Sequence, residues 1–412
     1  MRTTSFRDLV EVNPKVSLKK GEPYPFVEMA IVEPSNRYVR TENERAFKGG
    51  GSRFLVDDTI FARITPCLEN GKIGQYKGSK SKAAFGSTEF FVFRAREDVS
   101  DSGYVFYLCK SDLVQGPAIK SMSGASGRQR ASIDSILDVQ VPAHTLSTQR
   151  KIAAILSAYD DLIENNLRRI KILEEMAQNL YREWFVKFRF PGYEKVKFVD
   201  SPIGMIPEGW EVLPFTEIAD VLSGGTPKTN ITDYWNGTIP FFAPKDAPAS
   251  FFITETEKQI TEIGLSKCNS KLYPARTVFI TARGTVGKIA MPSKPMAMNQ
   301  SCYALRGRNG ISQTYLFLSV ITRIEYLKKN TGGATFDTIV VDTFRRMMTT
   351  RPSQSLVETF SSKVEPLFDS LLNLTKRIDI LRKSRDLLLP KLIAGDIDVS
   401  VLDIRIPQEV LE

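Results

Sequence analysis

Two long stretches carry the clearest alternation of apolar and polar positions. From about Ser147 to Lys187, apolar or small residues recur at Ile152, Ile155, Tyr159, Leu162, Asn166, Ile170, Leu173, Ala177, Leu180 and Trp184, in steps of three and four with one stutter and no Gly or Pro between them. That spacing predicts a helix with a coiled-coil seam. A second seam runs through Phe360, Val364, Leu367, Leu371, Leu374, Ile378, Leu381, Arg385, Leu388 and Leu392, alternating four and three. At 1.5 Å per residue each helix would span roughly 60 Å, too long for one domain of this chain. Two separate amphipathic surface helices would satisfy either pattern alone, but two seams in one chain most economically zip together. Asn166 is the polar intruder: it either fixes register inside the seam or lies at the stutter facing solvent.

The remaining sequence reads as short β-rich runs, such as EFFVFRA (89–95) and RTVFITA (276–282), broken by Gly and Pro turns. One helical pattern over 104–119 has a counterpart at 314–329. These signals come twice. Phe6-x-x-Leu9 is echoed by Phe215-x-x-Ile218, Pro25-Phe26-Val27 by Pro240-Phe241-Phe242, and Gly71-Lys72-Ile73 by Gly287-Lys288-Ile289. SMSGASGRQRASID (121–134) likewise matches NTGGATFDTIVVD (330–342), in the same order and at nearly constant offset. The expected fold is therefore α+β, with two pseudo-symmetric domains separated by a long antiparallel two-helix coiled coil. The division is 1–146, a first domain; 147–190, helix 1; 191–210, a linker; 211–352, a second domain; 353–395, helix 2; and 396–412, a tail. The short link places the start of helix 2 near the end of helix 1, so the pair runs antiparallel. The tail returns to the first domain as a strand, which makes the organisation near-circular.

Charge sharpens this picture. The 412 residues hold 56 Lys+Arg against 47 Asp+Glu, a net +9, and residues 1–146 and 200–352 each carry the same excess of +4. A basic balance shared equally by two copies points to nucleic acid. The only histidine, His144, excludes multi-histidine metal sites and reads as structural. Cys67, Cys109, Cys268 and Cys302 form no C-x-x-C pair, so zinc ribbons and disulfide frameworks are not expected. No run reaches the ~18 apolar residues of a membrane span, and MRTTSFRDLVEVNP has no apolar leader core. A cytoplasmic protein is expected.

Catalytic signatures are missing. There is no G-x-x-x-x-G-K-[ST] loop, no Asn/Asp-Pro-Pro-aromatic methyl-transfer loop and no acid cluster with a nearby lysine, so a non-enzyme is expected. Binding chemistry fits better. The first copy offers Arg53, Arg63, Lys72, Lys77, Lys80, Lys82, Ser123, Ser126, Arg128, Gln129 and Arg130 on Gly-rich loops. The second offers Thr226, Lys228, Thr229, Asn230, Lys245, Arg283, Lys288, Asn299, Gln300, Thr331 and Thr335. Arg, Asn and Gln make bidentate contacts with base edges, whereas Lys mostly meets phosphate. For any single lysine the bland alternative is a solvated surface charge. Two unlike sets on a spacer would read a split, asymmetric DNA sequence. Both helices also carry apolar residues off the seam: Ile163, Ile172, Met176, Phe185 and Phe188, then Leu372, Ile380, Leu387 and Leu389. Exposed apolar surface of that kind marks a partner site.

The strings QRKIAAILSAYDDLIENNLRRIKILEEMAQNLYREWF, IPEGWEV, SGGTPKT, ARGTVGKIA, MNQSCYAL, TGGATF, FSSKVEPLF and RDLLLPKLIAGDIDV resemble the specificity subunit of type I restriction-modification systems over essentially the whole chain. The resemblance implies two target-recognition domains, each reading one half of a bipartite site, and helical regions that set their separation. It implies that the rod docks two modification subunits, which bind S-adenosylmethionine and methylate adenine; the off-seam Ile163, Ile172, Met176, Leu372, Ile380 and Leu387 are the expected docking residues. Two restriction subunits would translocate and cleave DNA with ATP and Mg in host defence, leaving no cofactor in this chain. The alternative is a paired-domain protein-binding scaffold without sequence-specific DNA binding.

Overall fold

EFFVFRA is apolar at consecutive positions rather than alternate ones, which requires a strand buried on both faces. A computed structural model of the chain describes residues 2–78, 82–125, 127–330 (backbone alone over 325–330) and 338–404. It divides into two units, 1–165 with 378–412 and 166–377. In the first unit, β1 (Val10–Val12), β2 (Tyr38–Val39), β3 (Thr59–Ala62), β4 (Ile73–Tyr76) and β5 (Phe90–Ala95) form a sheet in the order β1-β5-β3-β4-β2. β5 lies antiparallel to β3, with Phe91 opposite Phe61 and Val92 opposite Ile60. Because side chains alternate along a strand, the two faces feed different cores. Phe61, Phe91 and Phe93 pack with Tyr104, Leu108, Ile152, Leu156, Leu392 and Ile393. Ile60, Ala62, Phe90 and Val92 pack with Val27, Phe54 and Ala84 around a second sheet, in which Pro23–Val27 and Ala83–Gly86 run parallel.

The second unit repeats the topology. β6 (Ala219–Ser223), β7 (Phe252–Ile253), β8 (Val278–Thr281), β9 (Ile289–Pro292) and β10 (Cys302–Gly307) are ordered β6-β10-β8-β9-β7. Trp235–Phe242 and Ala297–Met298 form the matching parallel pair, with Phe241 at the place of Phe26. Ile73 and Ile289 each open the fourth strand of their sheet. The α+β fold with two pseudo-symmetric domains is therefore present. One expected element differs: the 104–119 pattern folds as two helices, Ser102–Lys110 and Asp112–Lys120, whereas its counterpart runs unbroken over Gln313–Asn330. Ser111 breaks the first by adopting an extended conformation at the junction, where it is the N-cap of the second helix, a position that Ser favours.

The periodic stretches form α1 (Leu146–Tyr181), closed by a π-turn over Arg182–Val186, and α2 (Gln354–Ala394). Within the first unit, Asp160 of α1 meets Arg385 of α2 at 2.5 Å, while His144 and Lys151 reach the carbonyls of Ile393 and Ser400. Along α1, Ile152 and Leu156 share a core with Leu392 and Ile393, whereas Asp160, further on, meets the earlier Arg385, so the pair is antiparallel. Within the second unit, Phe360 packs its ring on Trp184 and Phe185 at 5.6 and 4.9 Å. The α2 seam buries Phe360, Val364, Leu371, Leu374, Ile378, Arg385 and Leu392 as expected. The first half of the α1 seam is displaced by one residue. Leu156, Asp160 and Ile163 are buried, and Leu162 is 43% exposed. A reading built on apolar residues misses Asp160, which is buried because Arg385 neutralises it. Asn166 is buried, not solvent-facing, and its Nδ2 has no partner among the described residues.

The expected tail strand is also corrected: described residues 396–404 form bends and turns. Their apolar side chains nevertheless complete the first core, Val399 being buried there with Ile397 and Ile404 packed against it. No disulfide joins the four cysteines; Cys109 and Cys302 are buried and Cys67 and Cys268 half-buried.

Candidate nucleic-acid interface

The loops at one end of the first unit's main sheet gather its cations. Arg63 follows β3 directly; its N–H donates to the Glu89 carbonyl at 3.0 Å, and its own carbonyl accepts from Ala131 at 2.8 Å. The 121–131 loop is thereby stitched to the sheet end, helped by Arg130, which bridges both Ile64 and Ser123. Between these segments stands the Glu89 carboxylate. Arg63 Nε donates to it at 3.2 Å, and Arg130 donates through Nε at 3.0 Å and Nη2 at 2.6 Å. The Arg130 hydrogen bonds hold the Glu89 carboxyl below the usual carboxylate range. The Arg63 guanidinium also lies over the Phe91 ring, 5.3 Å from its centroid.

Beside this cluster opens a cleft of about 720 Å³, walled by Asn13–Ser17, Gly51–Arg53, Arg63, Thr88 and Phe90. Arg53 braces it: the guanidinium sits 4.8 Å over Phe47 and donates to the carbonyls of Val16 and Gly49, both at 3.3 Å. Gly51, at φ +93°, is required here, because a Cβ would come within 2.5 Å of the Gly86 carbonyl oxygen. Arg128 and Ser123 are exposed on the adjoining loop, and the backbone of Gln129 is fixed both ways by Thr65.

Other expected cations separate from this group. Lys72 lies at the same sheet end, but its Nζ donates to the carbonyls of Met29 and Ala30 at 2.9 and 3.4 Å. Lys72 therefore ties down the short helical turn over Met29–Ile31. Lys77 pairs with Asp57 at 3.2 Å beyond the far end of β4, and exposed Lys82 lies at that end too. Lys80 and Ser126 fall outside the described residues, as do Thr331 and Thr335 of the second copy.

The second unit puts different chemistry at the same positions. Thr281 faces Cys302 as Ala62 faces Phe90, so Ala282 and Ser301 stand where Arg63 and Glu89 stand. The backbone stitching is the same: Ala282 N–H donates to Ser301 O at 2.8 Å, and Ala282 O accepts from Ile339 at 2.9 Å. Nearby, the Thr226 hydroxyl donates to the Gln300 side chain, and Asn299 Oδ1 accepts the Ser301 N–H. Gly224 and Gly225 permit this approach, since Cβ atoms there would lie 2.0 Å from Asn299 O and 2.6 Å from Asn269 N. Lys228, Thr229, Asn230, Arg283, Lys288 and Gln300 are exposed. Lys245 is held by an ion pair with Glu257.

On the helices, the large exposed apolar residues include Ile172, Met176, Ile380 and Leu387, Ile380 at 64% and Leu387 at 69%, with Leu162 and Val186 exposed as well. Leu372 is half-buried, and Ile163, at 2% exposure, belongs to the seam and is corrected from the partner-facing set. Phe185 is buried in the Phe360 cluster, Phe188 packs on Phe198 and Trp210, and Leu389 packs against the first core. Two further groups escape a reading of the sequence. One is Glu89, which only strand register places between two arginines. The other is a buried network in which Arg37 donates to Gln75 at 2.9 Å, Tyr107 donates to Asp160 at 2.5 Å, and Asp160 accepts from Arg385. Among the described residues no group of three metal-ligating side chains occurs, and no helix is long and apolar enough to cross a membrane.

A duplicated α+β unit whose equivalent loops carry unlike polar sets defines a two-part recognition protein. The family model for the type I restriction modification DNA specificity domain matches residues 6–175 and 207–350, and the chain belongs to that family, the non-catalytic specificity subunits of type I restriction enzymes. It is 30% identical over 307 residues to the MjaIX specificity subunit of Methanocaldococcus jannaschii, covering 73% of this chain and 70% of that one. It is 24% identical over 370 residues to the HindI specificity subunit of Haemophilus influenzae, covering 76% and 81%. The fold is similar to the crystal structure of the type I S subunit from M. genitalium, with a TM-score of 0.54 and 15% identity over 95% of this chain and 96% of that one.

Proposed function

We propose that this specificity subunit recognises a split, asymmetric DNA site, one unit reading each half. The observation carrying this reading is the equivalence of Arg63 and Glu89 with Ala282 and Ser301: one strand register presents charged forks in one copy and small neutral side chains in the other. In the first copy Arg53, Arg63, Arg128, Gln129 and Arg130 face DNA; in the second, Thr226, Lys228, Thr229, Asn230, Arg283, Lys288, Asn299 and Gln300 do. The antiparallel helices set the half-site spacing. Their exposed Ile172, Met176, Ile380 and Leu387 dock two methyltransferase subunits, and two restriction subunits join the assembly. S-adenosylmethionine, ATP and Mg are held by those partners, in the cytoplasm.

The test is methylation of a randomised DNA library by the assembled methyltransferase. Alanine at Arg128, Gln129 and Arg130 should degrade preference in one half-site only, and alanine at Lys228, Thr229 and Asn230 in the other. Loss of one bidentate base contact costs roughly 1–3 kcal/mol of discrimination, whereas loss of a phosphate contact weakens all sequences alike. Equal disturbance of both halves by either triple substitution would overturn the one-unit-per-half reading. For docking, Ile380→Asp should leave the subunit folded yet unable to co-elute with its methyltransferase partner.

A further inference from the structure

Glu89 sits among the cations proposed to meet DNA, where a carboxylate repels phosphate and lowers affinity for any duplex. It is not a stray surface charge. Its side chain is four-fifths buried, flanked by Arg63 on β3 and Arg130 on the 121–131 loop, and three guanidinium nitrogens donate to it. Each arginine keeps donors beyond those spent on Glu89. Arg63 uses only Nε, which leaves the four N–H bonds of its terminal nitrogens; Arg130 uses Nε and Nη2, which leaves Nη1. The Phe91 ring lies beneath the Arg63 guanidinium, 5.3 Å from centroid to Cζ. A fork held in position on both its base and its face loses little rotamer entropy when it binds.

We propose that Arg63, Glu89 and Arg130 form a base-reading element specific for a guanine edge, in which Glu89 is a positioning residue that converts two phosphate-seeking cations into oriented forks. The proposal rests on the reading of this unit as a half-site reader and adds the residue and the base. Guanine presents two adjacent major-groove acceptors, O6 and N7, and arginine matches them bidentately. Adenine offers a donor at the corresponding exocyclic position, which a guanidinium cannot satisfy. Two cations sharing one carboxylate carry a net charge of only +1. The element therefore contributes little to non-specific attraction and more to discrimination. The second unit, with Ala282 and Ser301 at the equivalent positions, has no such element there.

The experiment compares wild type with Glu89→Gln and Arg63→Lys, each assembled with its methyltransferase subunits. It uses library methylation for preference and a salt series with random duplex for charge. Glu89→Gln keeps the side chain's size but frees both guanidinia. Random-duplex affinity should rise at low salt, the salt slope should steepen by about 1, and preference for G·C at one half-site position should fall about tenfold or more. Arg63→Lys keeps the charge and loses the fork, so the same preference should fall with the salt slope unchanged. Melting temperatures and the other half-site serve as internal controls. A Glu89→Gln profile that matches wild type at every position, or that weakens all sequences equally, overturns the inference. If wild type itself shows no split preference, the half-site reading fails as well, an outcome distinct from the first.

Discussion

The two units build the same five-stranded sheet and treat its loop end in opposite ways. In the first, an open cleft of about 720 Å³ lies beside a charged cluster of two arginines and a glutamate. In the second, Gly224 and Gly225 let the 223–230 loop press onto Asn299 and Asn269, and the register positions hold alanine and serine. The strand order and the backbone stitches, Arg63 to Glu89 and Ala282 to Ser301, are the same in both. Backbone pairing and a doubly buried β5 or β10 therefore fix where the loops go, while the loop side chains remain free to differ. A duplicated framework can present two unlike chemistries without altering either core.

The helices divide along the same line. The first unit locks α1 to α2 with the buried Asp160–Arg385 pair, the second with aromatic rings around Phe360. Arg385→Ala strands a buried carboxylate and should cost about 3–5 kcal/mol. Phe360→Ala opens a core cavity and should cost about 3–5 kcal/mol as well. Thermal melting of the two variants separates the locks. Paired apolar replacement of Asp160 and Arg385 should recover part of the loss, whereas no second substitution rescues Phe360→Ala so simply. Equal insensitivity of both variants would break the comparison.

A titration sharpens it next. Glu174 on α1 accepts the Phe251 N–H at 2.8 Å in the second unit, and burial pushes its carboxyl up to about 7. A folded-state value above the unfolded one means that the stabilising protonated form is fully present at acidic pH. The contribution fades as pH rises from about 4.5 through about 7. Glu174→Gln should therefore match wild type near pH 4 and exceed it by about 1–2 kcal/mol at pH 8. Melting temperatures across that range check the sign.

The repeat's matched lysines separate strut from contact. Lys72→Met should lower stability by about 1 kcal/mol, since two carbonyls lose a charged donor, and should leave the salt dependence of DNA binding unchanged. Lys288→Met should do the reverse, reducing the salt slope by about 1 with stability unaltered. If both behave alike, the repeat extends to side-chain roles as well as backbone. The smallest effect is expected at Asn166, buried with an unpaired Nδ2. Asn166→Leu should hold or raise the melting temperature by the equivalent of about 1 kcal/mol, and cross-linking between α1 and α2 would report any gain in register slippage.

Periodicity was enough to find both long helices, motifs matched in order at a nearly constant offset revealed the duplication, and the short link gave the antiparallel sense, because each of these is a property of positions along the chain that a linear sequence displays openly. The α2 seam could be read at seven of its ten expected positions; Leu367, Leu381 and Leu388 are only half-buried, and the fully buried Phe368 was not anticipated. The α1 seam could not be read through Asp160 and Ile163, because a buried charge is tolerated only where its partner stands, and Arg385 lies 225 residues away. The recognition residues divide for the same reason. Residue type alone put Lys72 with Arg63 and Arg130, but tertiary structure spent Lys72 on two backbone carbonyls and set Glu89 between the two arginines. Hydrophobic pattern is a property of consecutive positions and survives in sequence. Charge pairing and donor capacity are properties of neighbours in space, and they appeared only when β3, β5 and the 121–131 loop came together.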